Sequence, residues 1–262
     1  MSDITNTEFL KKQYENKDNL GTRISIHDKY STNKQGFGNW IVSNYEIENG
    51  AKILELGCGT GSMWKHHTDL IAKCEEVVLT DFSEGMLEGA KSNLENNSKI
   101  TFKVVDIQDI PYEDNTFDIV IANMMLYHVP DIHKGLSEVK RVLKPNGKFY
   151  CATFGENGII TYVADLLKEF NVSSEMNTVF TLQNGKDTLE KYFDSVKRLE
   201  YKDSLKVTVI DDLVDYVYSL SSMTDIANVG RDSMKKIFEQ NMIDGALEVP
   251  KEYGMFVCGN IV

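Results

Sequence analysis

Lys52-Ile53-Leu54-Glu55-Leu56-Gly57-Cys58-Gly59-Thr60-Gly61 decides how this 262-residue chain reads. An apolar run of strand length enters a turn with glycines at alternate positions, and an acid stands two residues before the first. Glycine lacks a Cβ and tolerates positive φ, so this backbone can bend sharply and let a ligand touch it. The residues that follow, Ser62-Met63-Trp64-Lys65-His66-His67, contain no breaker and read as the start of a helix over 62–73. A strand, a glycine turn and a helix N-terminus in that order build a nucleotide-type pocket.

Downstream, the rhythm repeats. Val77-Val78-Leu79-Thr80-Asp81 is a second apolar run ending in an acid, and Ser83 is placed to cap a helix with Met86, Leu87, Ala90 and Leu94 on one face. Thr101–Asp106 reads as a third strand, again closed by an acid. Phe117–Ala122 has the near-continuous apolar character of a strand buried on both faces. Asp131 can cap a helix, Pro145-Asn146-Gly147 reads as a turn, and Lys148–Phe154 as a fifth strand. The alternation predicts an α/β fold: an open, mostly parallel, Rossmann-like sheet with helices on both faces and right-handed crossovers.

Outside this stretch the pattern is looser. Phe9, Leu10 and Tyr14 sit near helical spacing, with Gly21 expected to interrupt, and Phe37, Trp40, Ile41 and Tyr45 suggest a helix leading to the first strand. After Phe154 come a helical stripe from Ile159 to Phe170, a polar segment over 171–187, extended chain over 196–209, a helix capped by Asp211 or Asp212, another over 231–243, and a last strand over 254–259. The expected plan is a single domain, with an N-terminal helical cover over 1–46 and a ligand-binding core over 47–154. A helical insertion or lid follows the fifth strand over 155–195, and the remaining strands and helices occupy 196–262.

Bulk properties narrow the function. With 28 basic against 40 acidic residues the formal charge is −12, which disfavours a phosphate backbone, so nucleic acid is not an expected partner. The apolar runs are of strand length, so no membrane association is expected. The polar start of the chain lacks the apolar core of a signal peptide, and a cytoplasmic location follows as the expectation. Cys58, Cys74, Cys151 and Cys258 are scattered without metal-ligand spacing, so they are expected as free thiols and no metal site is anticipated. Nothing in the chain fixes an oligomeric state.

In an open parallel sheet the ligand lies at the carboxyl ends of the strands. Asp81, ending the second strand, is placed to accept both hydroxyls of a ribose and would repel a phosphate there. Asp106 is similarly placed for an exocyclic amine, since a carboxylate accepts and cannot donate. The glycines at 57, 59 and 61 bring the third one place too early for the dinucleotide pattern, and the lysine of a P-loop is missing. With Glu55 adding to an acidic site, an adenosine-bearing ligand with positive charge and no phosphates fits better than NAD.

At this point the chain resembles the class I S-adenosylmethionine-dependent methyltransferases. ILELGCGTG is similar to their first motif, VVLTDFSEGML to their second, VVDIQDIPYEDNTFDIVIANMMLYHV to their third and fourth, and VKRVLKPNGKFY to the segment entering the fifth strand. The resemblance covers about residues 50–155, in order and spacing. It implies a seven-strand sheet whose last two strands form an antiparallel hairpin, matched to about 196–209 and 254–261. It also implies that S-adenosyl-L-methionine is the cofactor and S-adenosyl-L-homocysteine the product. Gly57, Cys58, Gly59 and Gly61, with Glu55 nearby, would line its methionine and ribose portions. Asp81 would hold the ribose hydroxyls, Phe82 would pack on the adenine, and Met86 would touch the nucleoside. Asp106 would accept from the adenine amine, Ile107 would offer its backbone N–H to a ring nitrogen, and Asn123 would face the sulfonium end.

Methyl transfer from a sulfonium is an in-line displacement whose donor is already activated, so alignment and exclusion of water can supply much of the rate. A base is needed only if the acceptor arrives protonated. Tyr127 and His128, just past the fourth strand, are the expected acceptor-side residues, with His128 equally able to fix its loop. His27 and Arg23 are weaker candidates, His66 and His67 are expected to be solvated, and His133 to be exposed. Tyr14, Tyr30, Phe37 and Trp40 could stack on an acceptor or cage a cationic amine, but ordinary core and cover packing is the better reading of them. The expected acceptor is a small metabolite or natural product methylated on N, O or C. A protein or tRNA methyltransferase, a nicotinamide-type Rossmann protein and a non-catalytic adenosyl-binding module are the alternatives.

Overall fold

The computed structural model describes residues 17–94, 97–172, 177–220 and 226–261; Phe9, Leu10 and Tyr14 lie outside them. The chain divides into two compact units. One comprises residues 37–153, 179–199 and 254–262, the other residues 1–36, 154–178 and 200–253.

The first-named unit is built on the glycine-turn segment. Strand β1 (Lys52–Leu56) pairs in parallel with β2 (Glu76–Asp81) and β4 (Phe117–Ile121), so that Ile53 lies beside both Val77 and Ile119. β2 pairs in parallel with β3 (Ile100–Val104), and β4 with β5 (Leu143–Phe154). With β6 (Phe193–Val207) and β7 (Leu247–Ile261) the described strands form one seven-stranded sheet, ordered β3-β2-β1-β4-β5-β7-β6. This is the mostly parallel, Rossmann-like sheet the alternation predicts. Ile53, Leu54, Val77, Val78, Val120 and Ile121 are all fully buried, odd and even positions alike. Both faces of the central strands are therefore covered, which is why their sequences are continuously apolar rather than alternating. Strand order reverses between β1 and β4, and an open α/β sheet has its ligand crevice at that switch point.

Several local expectations shift. The helix expected over 62–73 is two short ones, α3 (Ser62–Lys65) and α4 (Thr68–Lys73), broken at His66–His67, where His67 leaves helical dihedrals. α2 (Phe37–Ser43) does lead towards β1, with Ile41 in the core. Ser83 caps α5 (Glu84–Asn93) by accepting from the Met86 N–H at 3.4 Å, and Asp131 caps α6 (Ile132–Val142) through the Lys134 N–H at 3.0 Å. β3 ends at Val104, so Asp106 lies beyond the strand in the following turn. β5 begins earlier than its apolar run: Leu143 pairs with Phe117, the register shifts, and Lys148 pairs with Ile119. The Pro145-Asn146-Gly147 turn is thus taken up as an irregularity inside the strand. Asn184-Gly185 opens a short helix, Gly185–Leu189, rather than a plain turn.

In the other unit, α1 (Lys17–Tyr30) runs through Gly21 without a break. An isolated glycine costs a helix about 1 kcal/mol relative to alanine, a deficit that packing can outweigh. Ile26 of α1 is buried with Val163, Leu205, Leu213, Val217 and Phe238 in one apolar cluster. The helix Ile210–Ser219 begins one residue before Asp211, so both acids sit in its first turn rather than at the cap. There they still favour the positive end of the helix dipole. Arg231–Gln240 is the last helix and stops short of residue 243. Lys251 and Asp203 form an ion pair whose side chains are 3% and 0% exposed, with Lys251 also donating to Ser31 Oγ at 2.9 Å.

Candidate active site

The glycine turn takes its shape from three left-handed residues, Gly57, Gly59 and Gly61, with φ of 71°, 55° and 66°. A side chain would strain all three, but their surroundings differ. A Cβ on Gly57 would lie 2.9 Å from Met125 Cγ, and one on Gly61 would lie 2.8 Å from Leu94 Cδ1 and 3.3 Å from Ala90 Cβ. A Cβ on Gly59 would meet nothing within 4 Å. The middle glycine is thus the open side of the turn, where a ligand can approach backbone. Cys58 N donates to the Thr80 carbonyl at 2.8 Å, and Asn93 Nδ2 donates to the Thr60 carbonyl at 3.0 Å, fixing the turn to β2 and α5.

Asp81 stitches the same turn. Its Oδ2 accepts from the Gly59 N–H at 2.9 Å and its Oδ1 from the Ser83 N–H at 2.8 Å. Burial nonetheless pushes its carboxyl above the usual range, more than these backbone donors pull it down. Glu55, 4% exposed, accepts from Trp64 Nε1 at 2.5 Å. Burial raises it to about 7, the Asp81 charge adds to the rise, and the Trp64 hydrogen bond opposes it. Burial, reinforced by both acids, pushes the Cys58 thiol up, and its Sγ lies 3.5 Å from the Gly59 carbonyl. A positive ligand here would relieve the strain on both carboxylates, whereas a pyrophosphate would add to it. The residues therefore fit an adenosyl sulfonium cofactor.

The remaining predicted residues fall in the same unit. Phe82 is 41% exposed, and Met86 is half-buried one turn into α5. Ile107 is buried, with α6 pressed so close that a Cβ on Gly135 would lie 3.3 Å from its Cγ1. Asp106 is half-buried, and its carboxylate accepts from the backbone and side chain of Gln108. Asn123 accepts from the Ala152 N–H at 3.1 Å and donates to Tyr45 Oη at 2.6 Å, with Met63 Sδ 4.0 Å away. Burial and the Glu55 charge hold the Tyr45 hydroxyl well above its usual range, so it stays neutral.

Tyr127 and His128 lie in a one-turn 3-10 helix, Leu126–His128, with ring centroids 4.4 Å apart. Tyr127 is buried, and burial lowers His128 to about 4, which leaves the imidazole neutral near pH 7. Met124, just before, holds a positive φ of 54° and donates its N–H to the Ala152 carbonyl. Such strain in a non-glycine residue marks a chain held in place by its surroundings.

The weaker candidates have other partners. In the unit containing α1, Arg23 Nη2 donates to the Ser219 carbonyl at 2.5 Å, Tyr30 Oη to Asp212 at 2.5 Å, and His27 packs edge-on to Tyr216 and Tyr253. Burial first, then Lys251, lowers His27 to about 4. His66 is exposed, His67 lies 3.2 Å from Asn39 Oδ1, and exposed His133 bonds Tyr192 Oη. Phe37 and Trp40 stack on each other at 5.8 Å. Tyr14 lies outside the described residues. Sequence reasoning misses Trp64, Tyr45 and Gln108; the signal for Trp64 is its indole donor nine residues after a buried acid.

The glycine turn thus lies at the switch point of a seven-stranded sheet beside two acids whose carboxyls burial raises, a setting that disfavours the phosphates of a dinucleotide. Residues 54–151 match a family model described as a methyltransferase domain. The C-methyltransferase UbiE of ubiquinone and menaquinone biosynthesis from Shewanella oneidensis is 30% identical over 184 residues, 67% of this chain and 70% of that one. A demethylmenaquinone methyltransferase from Clavibacter sepedonicus is 39% identical over 105 residues, 40% of this chain. That match spans only 42% of the Clavibacter protein. Among solved structures, phospholethanolamine N-methyltransferase 2 of Haemonchus contortus aligns with a TM-score of 0.60 at 18% identity, over 96% of this chain and 59% of that one. The chain belongs to the class I S-adenosylmethionine-dependent methyltransferases. Among the described residues, no helix is long and apolar enough to cross a membrane, and no group of three or more His, Cys, Asp and Glu could hold a metal.

Proposed function

We propose that this protein transfers a methyl group from S-adenosyl-L-methionine to a small-molecule acceptor, releasing S-adenosyl-L-homocysteine. The observation that carries the reading is the open glycine turn at Gly59 tied to Asp81, beside the buried acid Glu55. The cofactor, when bound, supplies an activated methyl group on a positively charged sulfur. Asp81 holds the ribose diol while its other lone pairs keep the turn in place. Glu55 provides negative charge for the cationic end of the ligand. Phe82 covers the adenine, Met86 touches the nucleoside, Asp106 accepts from its amine, and Ile107 offers a backbone N–H. Gly57, Cys58, Gly59 and Gly61 let that ligand lie against backbone, and Asn123 orders the approach to the sulfur.

On the acceptor side, Tyr127 packs against the substrate and His128 takes a proton where the nucleophile arrives protonated. Its neutral imidazole is in the form a base requires. The acidic balance of the chain supports a small acceptor over nucleic acid, and a cytoplasmic setting is part of the same proposal. Both curated relatives are named for methylation of quinone precursors. A demethylated quinol is therefore the first acceptor to assay, ahead of phenols, amines and small acids. Labelled S-adenosylmethionine, incubated with such a panel, should label one class of small molecule. Label appearing only in protein or tRNA would refute the small-acceptor reading.

A further inference from the structure

We infer that Gln108 is a positioning residue that aims the Asp106 carboxylate, and thereby makes the site selective for an amine-bearing purine over its carbonyl analogue. The inference rests on the reading of Asp106 as the acceptor of the adenine amine. Asp106 stands past the end of β3, in a turn closed by the Asp109 N–H donating to its carbonyl at 2.9 Å. Contacts within that turn orient its side chain. Gln108 does so with both ends of its residue. Its backbone N–H donates to Asp106 Oδ1 at 2.8 Å, and its Nε2 lies 3.1 Å from Oδ1 and 3.2 Å from Oδ2.

The carboxamide is itself anchored. Gln108 Oε1 accepts from the Asp131 N–H at 3.1 Å, at the start of α6. The same helix holds the rest of the turn: Glu138 accepts from the Ile110 N–H at 2.9 Å, and Arg141 donates to the carbonyls of Ile110 and Tyr112. An amide with its oxygen pinned to a helix and its nitrogen on a carboxylate can take only one orientation, since oxygen cannot donate. A carboxylate has about four lone-pair sites. Gln108 occupies those on the turn side and leaves Oδ2 as the freer oxygen. A ligand amine can donate there; a ligand carbonyl cannot, and would meet a carboxylate at close range. The α6 anchor thus converts loop geometry into a choice of base.

Two substitutions separate this role from simple loop packing. Gln108→Glu keeps an oxygen for the Asp131 N–H but has no donor for Asp106, and Gln108→Leu removes both bonds at similar volume. Each is titrated calorimetrically with S-adenosylhomocysteine and with S-inosylhomocysteine, in which a carbonyl replaces the amine, and melting temperatures are recorded alongside. The parent protein should prefer the adenosyl ligand by about tenfold or more, as expected when a charged acceptor loses its donor. Both variants should bring the two affinities within about threefold of each other, with the inosyl affinity unchanged. A parent preference that survives in both variants overturns the role of Gln108 while leaving Asp106 intact. A parent protein with no preference overturns the Asp106 reading, and this inference with it.

Discussion

Replacing Asp81 probes the two jobs the structure gives one carboxylate. In Asp81→Ala the Gly59 and Ser83 N–H groups lose acceptors at 2.9 and 2.8 Å. Unsatisfied donors cost about 1–3 kcal/mol each, but the turn is half-buried and water can reach part of it. The carboxylate is also disfavoured by burial, so removing it returns some stability. A net loss of about 2 kcal/mol is expected, which leaves a typical domain folded. Cofactor affinity should fall further, by about 1.5–3 kcal/mol or roughly tenfold to a hundredfold, because bonds from the ribose diol to a charged acceptor disappear. Asp81→Asn retains one oxygen for the turn and should lose less stability while still weakening binding. Calorimetric titration with S-adenosylhomocysteine, paired with thermal melts, reads both quantities. A folded Asp81→Ala protein with parental affinity would refute the assignment of Asp81 to the ribose.

Burial and geometry set four further outcomes. Glu55 is raised from 4.5 to about 7, so the folded chain holds its proton more tightly than the unfolded one, and stability should fall as pH rises between those values. At 1.36 kcal/mol per unit the loss is about 3 kcal/mol. Denaturant unfolding at pH 5 and pH 8 should show that slope in the parent and not in Glu55→Gln; equal slopes would remove Glu55 as its source. His128, lowered to about 4, should keep activity flat through pH 6.5 on the acid side, and His128→Ala should abolish turnover while binding S-adenosylhomocysteine normally. A full-activity variant would exclude the imidazole from the reaction. Gly61→Ala combines a left-handed residue with a Cβ 2.8 Å from Leu94 and should cost about 2–4 kcal/mol, read as a lowered melting temperature. Gly59→Ala meets open space, so it should cost only the left-handed strain of about 1–2 kcal/mol and lower cofactor affinity as well.

What the sequence discloses and what it hides divide along one physical line. The parallel strands are legible because burial on both faces demands continuous apolar runs, and the acids at 81 and 106 stand out where those runs stop. Ser83 and Asp131 cap the helices they precede because capping is a local bond between near neighbours. Contacts made across the fold leave no such trace. Tyr45 reaches Asn123 over 78 residues, and Gln108 reaches the start of α6 over 23. Trp64 was hidden differently: with α3 ending at Lys65, its register cannot be read from a continuous helix over 62–73. Gly21 shows the converse, a local breaker overridden by an apolar helix face buried through Ile26. The early start of β5 is likewise set by pairing of Leu143 with Phe117, which no local pattern announces.

The central claim is that the acidic glycine turn takes an adenosyl sulfonium rather than a phosphorylated dinucleotide. Titration of the intact chain with S-adenosylmethionine, S-adenosylhomocysteine and NAD, under one set of conditions, tests it most directly. Saturable binding of both adenosyl ligands with no heat from NAD is the predicted result. Tight NAD binding, with no response to S-adenosylhomocysteine, would contradict it.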